Sequence, residues 1–288
     1  MHQASQIELL TPETVAEALD LKARFGADAR FVAGGTDLLL KTRAGVYAPK
    51  ALIRVPVRSE TIAEQADGSV RICALEPISR LIQSKLLLEK VPLLVAGLAQ
   101  LGSPQIRNAA TLGGNLGNAS PCCDSGPPLL VYEATVEVRS ATSRRQVPAD
   151  GFFLGPGETV LESDEMVVAV HVPMAPDGEK IFHRKFGARG ANVIASANFA
   201  ARIALDDSGV SFARLAAGSV APIPARLRNV EETMVGTPAD KLSAPEFKTA
   251  IVDALEKDIS PISDVRGSQW YKNKVIQLSL EQMLDELV

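Results

Sequence analysis

Two segments of this chain carry the residue types that hold an anion. The first is Phe31-Val32-Ala33-Gly34-Gly35-Thr36-Asp37-Leu38, a strand-like run that enters paired glycines and leaves through a Thr-Asp helix start. The second runs from Ala110 through Thr111-Leu112-Gly113-Gly114-Asn115 to Pro121. Glycine lets backbone N–H groups approach an anion with no Cβ in the way, and several such groups in one turn form an anion-binding concavity. Thr36, Thr111 and Asn115 add side-chain donors, and a helix starting after the glycines favours negative charge at its N-terminus. Two such loops could hold a pyrophosphate between them. Neither matches G-x-G-x-x-G or G-x-x-x-x-G-K-[ST], which disfavours the nucleotide sites those patterns build. Taken alone, the residues lead as far as an anion or dinucleotide site.

Other chemistry is sparse. No side-chain nucleophile and no general acid–base pair stands out. Cys122 and Cys123 are adjacent, and neighbouring cysteines do not reach the separation and orientation of an unstrained disulfide. With Cys73 the thiols number three, one short of the four ligands of a closed zinc or iron–sulfur site. Small, polarisable packing is the reading the sequence favours for them. His2, His171 and His183 form no ligand set, and His171, in an alternating strand, reads as structural. Arg107 is either a phosphate clamp or part of a structural ion pair, and the sequence favours the second.

The elements that must position the two loops can be read around them. Thr11-Pro12 reads as N-cap and first helical residue, Val15, Ala18, Leu19 and Leu21 follow at helical spacing, and Gly26 closes the helix. Residues 29–33 read as a strand, 36–43 as a helix and 51–55 as a second strand. A new unit starts near Thr61, with alternation at Val70, Ile72 and Ala74. Helices follow over 77–101, interrupted at Pro92, and again over 128–132. Residues 135–139 and 168–172 alternate with period two. Turn formers concentrate at Met174-Ala175-Pro176-Asp177-Gly178 and mark a boundary. Beyond it, 197–205 and 211–218 read as strands and 245–288 as helical.

The whole-chain properties set the frame. At 288 residues, two or three domains are expected. Hydrophobic residues at 46% and charged residues at 22% suit a globular protein with buried cores. A net charge of −4 with no basic stripe argues against nucleic acid, and aromatics at 5% argue against base-stacking platforms. The N-terminus has no basic lead into an apolar run, so no signal peptide is expected. The most apolar stretch, 91–101, is broken by Pro92 and Gly97 and is too short to span a bilayer. Three cysteines fit a reducing compartment. These features point to a cytoplasmic protein with no membrane span.

Four motifs in order carry a resemblance. They are AGGTDL at 33–38, GSPQIRNAATLGGNLGNASP at 102–121, FFLGPGETVLESDEMVVAVHVP at 152–173 and SDVRGSQWY at 263–271. Together they resemble the flavin subunits of the molybdenum hydroxylases, the xanthine dehydrogenase and carbon monoxide dehydrogenase family. Nicotinate dehydrogenase and 4-hydroxybenzoyl-CoA reductase have similar subunits. The resemblance implies an α+β chain. A two-subdomain FAD-binding fold of the PCMH type would occupy 1–58 and 59–175, and an α/β C-terminal domain of the carbon monoxide dehydrogenase flavoprotein type 176–288. It implies an oxidoreductase subunit. Electrons would pass from the [2Fe–2S] clusters of a small partner subunit, through FAD in this chain, to NAD or another acceptor. The substrate would be oxidised on a large molybdopterin subunit, in a heterotrimer or its dimer.

For the site, the resemblance implies that Phe31, Val32, Ala33, Gly34, Gly35, Thr36, Asp37 and Leu38 wrap the FAD pyrophosphate. Ile106, Thr111, Leu112, Gly113, Gly114 and Asn115 belong to the second FAD segment. Asp124 stands where the family places an acid that hydrogen-bonds the cofactor, and Val167 and Lys185 fall where related subunits line FAD. Each has a plainer alternative: Asp37 as a helix cap, Asp124 as a turn residue, and Lys185 as part of a solvated basic cluster, His183 to Arg189. Cys122-Cys123 departs from relatives, which often carry small or polar residues there. The cysteine-rich insertion of the benzoyl-CoA reductase relatives is missing, so no cluster is expected in this chain. A stand-alone FAD oxidase of the same fold is the rival reading, and the 263–271 segment counts against it. A cofactor-free remnant is another, opposed by the intact paired glycines.

Overall fold

The structure is a computed structural model and describes residues 7–56, 62–174, 178–190 and 192–288. His2, the 58/59 division, Thr61 and residues 175–177 of the turn-rich boundary lie outside the described residues.

The N-terminal layer is a three-stranded parallel sheet in the order Glu8–Leu10, Ala51–Arg54, Ala29–Val32. Helix Val15–Phe25 makes the first crossover and helix Leu38–Arg43 the second. The first helix is capped by Thr14 rather than Thr11. Thr14 Oγ1 accepts from Glu17 N at 3.1 Å while the Glu17 carboxylate accepts from Glu13 N at 2.8 Å. That Thr-x-x-Glu reciprocity is what Thr11, with Thr14 three residues on, does not have. Gly26 ends the helix at φ 54°, as its position suggested. Ala18, Ala29 and Ala51 pack with Ile53, and such small side chains let the helix lie close on the sheet.

The middle layer is a five-stranded antiparallel sheet: Ala63–Glu64, Val70–Cys73, Met166–Val172, Thr135–Arg139, Arg144–Pro148. Val70, Ile72, Val136, Val138, Val170 and Val172 share one face, which sinks into the largest core. Helices Ile78–Leu81, Lys85–Lys90, Pro92–Ala99 and Gly126–Val131 cover it. The other face meets the N-terminal layer through Cys73, Leu75, Met166 and Val168 against Leu19 and Val55. Further along that face, fully buried Glu137 gathers Arg139 at 2.9 Å, Arg144 and His171 at 3.0 Å and Arg71 at 3.4 Å. Burial pushes the Glu137 carboxyl up, but the His171 hydrogen bond and the arginine charges outweigh it and hold the group at about 2. His171 therefore has the structural role expected of it.

The last layer is a four-stranded antiparallel sheet, Lys180–Phe186, Ala197–Asp206, Gly209–Gly218, Ala225–Arg226. Helices Arg228–Met234, Pro245–Asp258 and Gln269–Leu287 cover one face of it. The helical run expected over 245–288 is two helices, because Ser260-Pro261 breaks it. The strand Lys180–Phe186 was not legible, since its lysines, histidine and arginine hide the period-two signal. This layer grips the carbonyl end of helix Gly126–Val131. Arg202 Nη1 donates to Val131 O at 2.9 Å and Arg226 Nη1 to Leu130 O at 3.3 Å. Arg202 also lies 4.5 Å from the Tyr132 ring centre. Cations at a helix C-terminus satisfy its orphan carbonyls and its dipole together. Among the described residues no helix is long and apolar enough to cross a membrane.

Candidate functional site

The N-terminal layer and the middle sheet enclose a cavity of about 710 Å³, within the range of small-molecule sites. The close approach of the two glycine segments builds it. A Cβ on Gly34 would stand 1.9 Å from Ala109 O, so only glycine lets the first loop touch the backbone that leads into the second. Gly35 adopts φ 68°, a left-handed turn that directs the chain into helix Leu38–Arg43.

The two segments differ in what they offer. The N–H groups of Gly34, Gly35, Thr36 and Asp37 have no hydrogen-bond partner among the described residues, and all four residues line the cavity. Consecutive unpartnered N–H groups in a turn are an anion nest. Asp37 occupies the N-cap position of helix Leu38–Arg43 but makes no capping hydrogen bond, so the capping alternative is not realised. In the second segment three successive donors are spent. Gly113 N bonds Ala74 O at 2.7 Å, Gly114 N bonds Thr111 Oγ1 at 3.0 Å and Asn115 N bonds Thr111 O at 3.0 Å. That segment is a capped start of helix Leu112–Asn118. Its glycines serve space: a Cβ on Gly113 would lie 3.0 Å from Ala74 O and 3.1 Å from Val167 O.

Of the residues singled out from the sequence, Phe31, Val32, Ala33, Gly34, Gly35, Thr36, Asp37, Leu38, Ile106, Thr111, Gly113, Gly114, Asn115 and Val167 all line this cavity. Leu112 is buried in the core instead. Asp124 and Lys185 do not line it. They form a buried ion pair, Lys185 Nζ to Asp124 Oδ2 at 2.7 Å, which leaves their side chains 3% and 8% exposed. Lys185 also donates to Gln100 O at 2.8 Å, and Asn198 Nδ2 to Asp124 Oδ1 at 3.3 Å. Burial raises the Asp124 pKa against the pull of Lys185 and Asn198. The solvated-face alternative thus fails for Lys185. The pair pins strand Lys180–Phe186 to the middle layer, and Lys185 borders a neighbouring cleft with Gly102, Ser103 and Arg107. Arg107 donates to Leu101 O at 2.9 Å, a structural role, and among the described residues it forms no ion pair. His183, near the same junction, is lowered to about 4 by burial and by the charges of Lys185 and Arg184, so it is neutral at pH 7.

Sequence reasoning missed other lining residues. Lys22, Arg30, Lys41 and Tyr47 line the cavity on the side of the N-terminal layer. Lys41 Nζ donates to Asn118 Oδ1 at 2.6 Å, and the Arg30 guanidinium stacks 3.7 Å from the Tyr47 ring centre. Cations flanking an anion-binding loop were the available signal. The segment Leu154 to Met166 also contributes, through Gly157, Thr159, Leu161 and Ser163. It lies inside the motif at 152–173, which also carries Val167.

Comparison with known proteins assigns the chain to a family. The model for the FAD-binding domain in molybdopterin dehydrogenase matches residues 5–175, and the model for the carbon monoxide dehydrogenase flavoprotein C-terminal domain matches 182–287. The chain is an FAD-binding subunit of the molybdenum hydroxylase family. Among relatives of this flavoprotein subunit, the xanthine dehydrogenase FAD-binding subunit of Escherichia coli O157:H7 is 34% identical over 280 residues. That match covers 96% of this chain and 94% of the relative. The carbon monoxide dehydrogenase medium chain of Hydrogenophaga pseudoflava is 30% identical over 281 residues, covering 97% and 96%. Among solved structures, a chain of the Hydrogenophaga pseudoflava carbon monoxide dehydrogenase that lacks the Mo-pyranopterin moiety superposes with a TM-score of 0.89. It is 30% identical and the match covers 96% of this chain and 95% of that one. The flavoprotein subunit is thus part of an oxidoreductase, with an FAD-binding fold followed by the flavoprotein C-terminal domain.

Proposed function

We propose that the cavity between the N-terminal layer and the middle sheet holds FAD, with its pyrophosphate over the N–H groups of residues 34–37. The observation that carries this reading is the row of four unpartnered N–H donors on residues that line the cavity, in a loop whose close approach to Ala109 and left-handed turn require Gly34 and Gly35. FAD supplies electron exchange between the [2Fe–2S] clusters of a partner subunit and an external acceptor such as NAD. The chain's own residues bind and orient. The N–H nest and Thr36 take the phosphate oxygens. Lys41, held by Asn118, places positive charge beside them. Thr111, Gly113, Gly114, Asn115 and Val167 form the opposite wall, where contact comes from close approach and from the Asn115 side chain. Asp124 and Lys185 hold the C-terminal layer at the end of the site beside Leu101 and Ile106. No proton transfer is assigned to any side chain, since the redox chemistry belongs to the flavin.

The assembly that follows is a complex with a small [2Fe–2S] subunit and a large molybdopterin subunit, a heterotrimer or its dimer, in the cytoplasm. The organisation of the chain follows as two FAD-binding subdomains, 1–58 and 59–175, and a C-terminal domain, 176–288. The test is direct. The full chain, stripped of flavin and titrated with FAD, should bind one equivalent and take on a protein-bound flavin spectrum. Purified from its native host, it should bring two companions carrying iron–sulfur and molybdenum. A folded chain that takes up no FAD would overturn the reading.

A further inference from the structure

Behind the cavity wall, Asn115 meets two buried polar side chains, Cys123 and Ser125, that have no part in the binding described so far. Asn115, on helix Leu112–Asn118, lines the cavity. Its Oδ1 is turned away from the cavity, into the protein, where it accepts from Ser125 Oγ at 2.7 Å and from Cys123 Sγ at 2.9 Å. Cys123 and Ser125 are 1% and 0% exposed, and their Sγ and Oγ lie 3.1 Å apart. A buried hydroxyl and a buried thiol each have one proton to place, and one oxygen with two lone pairs takes both. Burial pushes the Cys123 thiol up to about 11, so it remains a donor at neutral pH. A carboxamide has one acceptor end and one donor end. With the acceptor end committed inward, the end presented to the cavity is the NH2 group, which has no partner among the described residues.

We propose that Cys123 and Ser125 are positioning residues: by taking the Asn115 oxygen they fix its carboxamide with the NH2 toward the cavity, as a donor to a phosphate of FAD. This rests on the reading of the cavity as the FAD site. It also gives the unusual cysteine before Asp124 a task that is neither redox chemistry nor metal binding. A second wall whose donors at Gly113, Gly114 and Asn115 are spent on Ala74 O and on its helix cap gains a donor from a side chain, and the triad supplies the orientation that backbone geometry supplies in the first loop. A fixed donor loses no rotamer freedom on binding, which is where preorganisation acts.

The test is a mutant cycle on the apoprotein, read as the Kd for FAD from flavin fluorescence, with thermal melting as the fold check. Asn115→Ala should weaken binding by about tenfold or more, the worth of a hydrogen bond to a charged group. Cys123→Ala/Ser125→Ala should weaken it about threefold to tenfold, because the amide can then turn its oxygen outward. The triple variant should match Asn115→Ala, since both changes act through one group. Asn115→Asp keeps the inward contacts but turns an oxygen toward the phosphate, so it should lose more affinity than Asn115→Ala at unchanged melting temperature. Additive losses in the triple variant would overturn the proposal, because they would mean that Cys123 and Ser125 act on the fold and not through Asn115. So would an Asn115→Ala protein that binds FAD like the parent, an outcome that leaves the FAD site standing. A parent chain that takes up no FAD removes the site and the proposal together.

Discussion

The two glycine segments look like copies of one device in the sequence, yet they work by different physics. The loop at 34–37 leaves four N–H groups in a row without partners, while Gly113, Gly114 and Asn115 spend theirs on Ala74 O and on the Thr111 cap. Glycine in the first segment shapes a turn and lets two backbones touch; in the second it lets a helix start lie on a sheet. A donor-rich wall therefore faces a donor-poor one. The comparison teaches that a pair of glycines marks close approach, and that only the hydrogen-bond account of the neighbouring N–H groups says whether an anion can use it.

The contrast can be broken at several points. The largest effect is expected from Gly34→Ala, whose Cβ would stand 1.9 Å from Ala109 O. The backbones must separate, with a stability loss of about 3 kcal/mol and loss of bound flavin. Thermal melting together with the flavin-to-protein ratio measures both, and a normal value of each would mean the two segments do not touch. Next is Gly114→Asp. Its Cβ meets only Thr111 Oγ1, at 3.1 Å, so the chain should fold while the new carboxylate repels phosphate and abolishes FAD retention. Normal flavin content in that folded variant would remove the second segment from the site. The smallest and sharpest comparison is between two threonines. Thr36 has no hydrogen-bond partner among the described residues, so Thr36→Val should weaken FAD binding about tenfold with little change in melting. Thr111→Val should do the reverse, with a stability loss of about 1 kcal/mol from the missing cap and little change in Kd. Equal behaviour of the two variants would erase the distinction between the walls.

Much of this arrangement was legible because it is written in short-range signals. Gly26 closes its helix, Thr135–Arg139 alternates as a strand should, and the residues of both glycine segments meet at one cavity. What was hidden depends on long-range contacts. The cluster His183 to Arg189 reads as a basic surface until Lys185 finds Asp124, 61 residues away in sequence. Thr11 and Thr14 compete as caps, and only the Glu17 reciprocity chooses between them. The cations Arg30 and Lys41 carry no motif, and their place at the cavity rim comes from the parallel sheet and the helix that leaves the first loop.

The arginine grip on helix Gly126–Val131 has a consequence for how such chains can diverge. Arg202 and Arg226 reach main-chain oxygens, Val131 O and Leu130 O, and a carbonyl is present whatever side chain stands there. A joint that reads backbone tolerates drift on the helix side as long as the two arginines and their carboxylate partners, Glu179 and Glu231, persist. A hybrid that joins the first two layers of one relative to the last layer of another should therefore assemble when the grafted layer brings its arginines along.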